Sequence, residues 1–234
     1  MESSQRKQYS NFGLYILGGI GIGIAFFALY NPGEAYFTEE QLIIADMTDY
    51  NILVVKPLLT ANAYRSGGFY DYYQGKCDES CLSVQIDESI PYTYDSSLRA
   101  IVRFEQLGAN MTDDYTVDPT TLKDYDKIIL LHNEYVTQEF FDSVQNHPNV
   151  VYMYPNALHA KVTTYNGIMT LIEGHGYKGK YNGFGWEYDN SKYESDNLCE
   201  SLDVIEIPNG KQLTCYPENF LMKETWLFPY VRNL

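Results

Sequence analysis

Between Phe12 and Tyr30 the chain reads FGLYILGGIGIGIAFFALY, nineteen positions without a charge. Coiled into a helix, that run would be about 28 Å long, enough to cross the hydrocarbon core of a bilayer. Arg6 and Lys7 precede it, and Glu34, Glu39 and Glu40 follow. The positive-inside bias therefore places residues 1–11 in the cytoplasm and everything after Asn31 outside. The run is longer than a signal-peptide core and no A-x-A cleavage site follows it, so an uncleaved single-pass anchor in the cell membrane is expected, with the lipid bilayer as the partner of residues 12–30.

Beyond a linker at 31–47 the pattern changes. Tyr50 to Lys56 is a continuous apolar run closed by Pro57, the mark of a strand buried on both faces. Asp95 to Leu107 has helical spacing: Asp95, Ser96 and Ser97 offer N-cap oxygens, Leu98, Ile101, Val102 and Glu105 mark one face and its edge, and Gly108 stops it. Lys127 to Leu131 reads as a second buried strand. Thr137 can cap a helix that presents Phe140, Phe141 and Val144 and ends at Asn146-His147-Pro148, and Val150 to Tyr154 is the strand after it. Strands alternating with helices predict an α/β fold with parallel pairing and right-handed crossovers, spanning 48–165.

The last third, 166–234, reads differently. Tyr165-Asn166-Gly167-Ile168 and Pro208-Asn209-Gly210-Lys211 each set Asn-Gly between β-rich flanks, which predicts antiparallel hairpins packed on the same domain. Between them, EGHGYKGKYNGFGWEYDN could bind a ligand or be a surface loop packed by its own aromatics.

Composition sharpens this picture. The chain has 234 residues with 16 Lys and Arg against 31 Asp and Glu; removing Arg6, Lys7 and Glu2 leaves 14 basic and 30 acidic residues outside. So acidic a surface disfavours nucleic acid, whose affinity rests on Lys and Arg neutralising phosphates. Cys77, Cys81, Cys199 and Cys215 all fall in the part predicted to face outward, where disulfides persist; pairing within CDESC and within the carboxy-terminal segment is the simplest of three connectivities. Asn110-Met111-Thr112 is a glycosylation sequon.

Several chemistries are absent from the sequence. There is no G-x-S-x-G elbow, no Gly-flanked Cys nucleophile, no G-x-G-x-x-G and no Walker loop, so covalent acyl transfer and nucleotide binding lack support. Ligands of open α/β sheets gather beyond the carboxyl ends of strands, and after Leu131 comes His132-Asn133-Glu134-Tyr135. With period-two alternation, His132 and Glu134 would point to one side and could meet one ligand or metal. His159 and His175 could face the same cleft, although nothing in their spacing requires it.

The segments Ala63-Tyr64-Arg65-Ser66-Gly67-Gly68-Phe69-Tyr70, Ile90-Pro91-Tyr92, His132-Asn133-Glu134-Tyr135-Val136-Thr137-Gln138-Glu139 and Pro155-Asn156-Ala157-Leu158 resemble, in this order, the carboxy-terminal domain of the N,N-dimethylformamidase large subunit. That domain has a flavodoxin-like, class I glutamine amidotransferase-like fold, and the resemblance runs from about Tyr50 to about Tyr165. It implies a doubly wound, mostly parallel sheet and a mononuclear iron held by two tyrosine phenolates and a glutamate. Carried over, the metal ligands are Tyr64, Tyr92 and Glu134, and the catalytic pair is His132 and Glu134, with His132 moving the proton. Ile90 stands where the family has Arg, and Arg65 where it has Asn. The resemblance implies hydrolysis of a small amide; the competing expectation is an idle surface domain or accessory subunit of a membrane or cell-envelope complex, with a membrane protein or a second copy as partner.

Overall fold

The apolar run after Tyr50 forms strand β1 (Ile52–Lys56) at the heart of the main sheet. It is followed in chain order by β2 (Ser83–Gln85), β3 (Asn110–Asp113), β4 (Lys127–Leu130), β5 (Tyr135–Val136), β6 (Val150–Tyr152), β7 (Ala160–Tyr165), β8 (Ile168–Glu173), β9 (Val204–Ile207) and β10 (Gly210–Leu213). The helices are α1 (Leu58–Tyr64), α2 (Phe69–Tyr73), α3 (Leu98–Gln106) and α4 (Gln138–Gln145). This computed structural model describes residues 51–188, 198–199 and 204–218. The expected leader, bilayer span and linker lie outside the described residues, among which no helix is long and apolar enough to cross a membrane.

The main sheet has the order β3-β1-β4-β6-β10-β9, parallel throughout except for the antiparallel edge strand β9. Alternation divides its side chains between two cores. Ile52, Val54, Ile129 and Val151 pack with Ala100, Ile101 and Phe104 of α3. Leu53, Val55, Ile128 and Val150 pack with Phe140 and Val144 of α4. Helices therefore cover both faces of a mixed α/β sheet. A second sheet, β2-β8-β7-β5, is antiparallel apart from the β5–β7 pair and encloses a third core with Leu59, Ala63 and Phe69.

The predicted helices are present, with one shift of face. Thr137 caps α4, its hydroxyl accepting from the Phe140 amide at 3.2 Å. In α3 the buried stripe is Ala100, Ile101 and Phe104, which packs with Ile52 and Val54 of β1, while Leu98 and Val102 are exposed. Ser97 precedes α3 with φ +65° and makes no side-chain cap bond; its hydroxyl serves elsewhere.

Both hairpins form. Asn166 and Gly167, at φ +50° and +74°, make the two-residue turn between β7 and β8. In the second, Pro208 and Asn209 form the turn and Gly210 already pairs. There β10 runs so close to β6 that a Cβ on Gly210 would lie 1.8 Å from the Val150 carbonyl oxygen. Residues 210–213 thus supply the fifth parallel strand of the main sheet. Asn110 of the sequon is exposed on the edge strand β3.

Two disulfides, Cys77–Cys81 and Cys199–Cys215, join the cysteines as the sequence spacing suggests, consistent with an oxidising, extracellular setting.

Candidate functional site

Between β4 and β5 the chain leaves the main sheet for the second one, and His132-Asn133-Glu134 forms the crossing. Two tight backbone bonds, Asn133 N–H to the Leu131 carbonyl at 2.8 Å and Glu134 N–H to the His132 carbonyl at 2.9 Å, shape it. Side chains from other elements hold its remaining polar groups. The Ser97 hydroxyl accepts from the His132 amide at 3.0 Å, and the Thr60 hydroxyl accepts from the Glu134 amide at 3.0 Å. Asn133 donates to Asp114 at 2.8 Å and to the Lys56 carbonyl at 3.2 Å. Thr60 and Tyr64 lie four residues apart on α1 and so share a face. The helix that fixes the Glu134 backbone therefore also delivers Tyr64 to its side chain.

The Glu134 carboxylate is fully buried. It accepts a hydrogen bond from the Tyr64 hydroxyl at Oε2 and one from His175 Nε2 at Oε1. Burial works to raise its pKa, but the imidazole of His175 beside it, and then His132 and His159, outweigh that and hold it down at about 2. Tyr64 is pushed the other way, above its ordinary value, by burial and then by the charge of Glu134.

His132 is nearly inaccessible, and burial pulls its pKa down. Its Nδ1 lies 2.5 Å from the Asp95 carbonyl oxygen. A carbonyl only accepts, so Nδ1 carries the proton and the neutral ring turns a bare lone pair at Nε2 toward the site. Nε2 is buried without a hydrogen-bond partner and stands 3.5 Å from Glu134 Oε2, with Asn156 alongside. A lone pair facing a carboxylate oxygen is an arrangement that a proton or a cation would relieve.

Rings close the surroundings. Tyr154 stacks on His132 at 5.1 Å between centroids, and Tyr64 and Tyr216 meet it edge-on. Tyr135 stacks on His175 at 5.6 Å. The Tyr154 hydroxyl donates to Glu218, a buried carboxyl that burial raises to about 7.

His175 arrives from the Gly- and aromatic-rich loop, which therefore contributes to the site. It has φ +50° between Gly174 at +127° and Gly176 at +79°. A Cβ on Gly174 would come within 2.8 Å of the Ala160 Cβ, so only glycine lets this loop lie against β7 and aim the imidazole inward. His159 stands beside it, ring centroids 4.4 Å apart. A histidine bracketed by glycines, Gly174-His175-Gly176, is the local signal by which the sequence could have marked this position.

Of the residues singled out from the sequence, Tyr64, His132 and Glu134 come together. Tyr92 packs against the Ile52 and Val54 core with Lys56 Nζ 5.9 Å from its ring centre, and burial followed by Asp114, Asp113 and Glu105 raises its phenol. Arg65 turns its guanidinium away to the Gln85 carbonyl at 2.6 Å. Its charge is thereby directed to β2. Among the described residues no group of three His, Cys, Asp or Glu side chains is arranged to hold a metal ion. The donors that would suit a hard cation are the phenol oxygen of Tyr64 and the carboxylate of Glu134, and the unpartnered His132 Nε2 marks where positive charge is wanted.

No family model matches the chain, and no curated protein matches it.

Proposed function

We propose that this is a membrane-anchored, outward-facing hydrolase of small amides with a flavodoxin-like fold, resembling the carboxy-terminal domain of the N,N-dimethylformamidase large subunit. The observation that carries this reading is the meeting of Tyr64, His132 and Glu134, far apart in sequence, in one buried centre at the carboxyl end of β4. The strand order β3-β1-β4-β6-β10, with helices on both faces, supports the fold assignment. The two disulfides support the outward location.

Tyr64 and Glu134 would hold the iron that the resemblance implies, and the chemistry such an ion would supply is polarisation of an amide carbonyl and a lowered pKa of water. The chain's own groups do the rest. His132 Nε2, kept as a lone pair by the Asp95 carbonyl on its other nitrogen, accepts the proton of the attacking water and returns it to the departing amine. Glu134 keeps Tyr64 and His175 oriented, and the stacked rings of Tyr154 and Tyr135 exclude bulk water.

Metal analysis of the purified chain tests this. Stoichiometric iron with a phenolate charge-transfer colour, lost together with amide hydrolysis in Tyr64→Phe and Glu134→Ala, is the expected result. A colourless, metal-free protein of undiminished stability overturns it. That outcome would favour the second reading, an accessory module of a membrane complex, which draws on the fact that Tyr64 and His175 already satisfy both oxygens of Glu134 within the fold.

A further inference from the structure

Helix α2 buries Phe69 and leaves three tyrosines, Tyr70, Tyr72 and Tyr73, half-buried on its outer side. Their rings stand steeply to one another: Tyr70 and Tyr73 at 78° with centroids 6.1 Å apart, Tyr72 and Tyr73 at 70° and 5.7 Å. Together with Gly75, Cys77 and His175 they line an open pocket of about 650 Å³, within the size range of small-molecule sites. Neither Lys nor Arg contributes to that lining.

We propose that this pocket binds a small alkylated ammonium ion, held by the faces of Tyr70, Tyr72 and Tyr73. Each phenol ring carries negative charge density on its face, and several rings set at steep angles surround a cation better than one. A quaternary ammonium is weakly hydrated and gives up water at little cost, so rings without a formal countercharge suffice to hold it. His175 forms its inner wall, with its Nε2 bonded to Glu134 behind it. The excess of 31 acidic over 16 basic residues adds a negative background. This site needs neither a metal nor turnover and stands independently of the reaction proposed above.

Calorimetric titration of the full-length chain in maltoside micelles decides the matter, using tetramethylammonium and choline as probes, 3,3-dimethyl-1-butanol as the uncharged isostere of choline and sodium chloride as the matched salt. Saturable binding of the two cations is expected, with the isostere at least about ten-fold weaker. Tyr72→Phe should keep affinity within about three-fold, because the ring face remains, and Tyr72→Leu should weaken it at least about ten-fold. Equal binding of the isostere would show a merely apolar pocket and overturn the proposal. So would absence of saturable cation binding, or native affinity in a folded Tyr72→Leu protein. Should that variant fail to fold, the comparison of choline with its isostere on the unaltered chain still separates a cation site from an apolar one.

Discussion

Asp114 offers the sharpest test of how the site is supported. Its carboxyl is 5% exposed and accepts from the Leu59 amide at 3.0 Å and from Asn133 at 2.8 Å, so it ties the first turn of α1 to the crossing that carries His132 and Glu134. Burial, only partly offset by those two donors, raises its pKa from an ordinary 3.8 to about 8. Between those values the folded chain holds a proton that the unfolded chain has released, so stability falls as pH rises, by up to about 1.4 kcal/mol per unit. Across the whole window the loss is on the order of 5 kcal/mol, complete once pH exceeds the folded value. Below 3.8 both states are protonated and the dependence vanishes. Asp114→Asn removes the titration but keeps an oxygen for Leu59. Urea unfolding of both proteins from pH 5 to pH 9 should show a falling midpoint in the native chain and a much flatter line in the variant, the difference shifting in the variant's favour as pH rises and levelling off above pH 8. Parallel lines would refute the reasoning. Glu218, raised by burial to about 7, adds a slope of the same sign, but it is common to both proteins and cancels in the difference.

Three further outcomes follow from the same contacts. Glu134→Ala leaves the Tyr64 hydroxyl and the His175 N–H without their acceptor in a buried site and should destabilise the fold by about 3–5 kcal/mol, read from the shift in urea midpoint. Gly210→Ala would drive a Cβ into the Val150 carbonyl oxygen, and hydrogen exchange should reveal lost protection along β6 and β10 with a stability loss of about 3 kcal/mol or more. Replacing Cys199 and Cys215 by Ser opens a link across 16 residues and should cost about 3 kcal/mol, read from the shift in urea midpoint.

The alternation of apolar runs with helical spacing was enough to reveal an α/β fold, its buried strands and both Asn-Gly hairpins, because each of those signals is local and reports which faces of a short segment must leave water. The cysteine pairing was equally local. Segments with weaker periodicity gave no such notice: β3 and β2 are short and half exposed, and α1 follows Pro57 without a capping side chain. The crossing His132-Asn133-Glu134 was marked as a place for chemistry by its position after a buried strand, and Tyr64 by resemblance. What surrounds Glu134 is not local. His175 reaches it because Gly174 lets the loop lie against Ala160, and Ser97 gives up its role as a helix cap to hold the His132 amide. Tyr92 packs beside Lys56. Residues 210–213 complete the main sheet only because Gly210 permits β10 to touch β6. Side-chain pattern can tell which residues are buried; which buried polar groups must satisfy one another depends on close approaches between distant segments, and those are set when the whole chain packs.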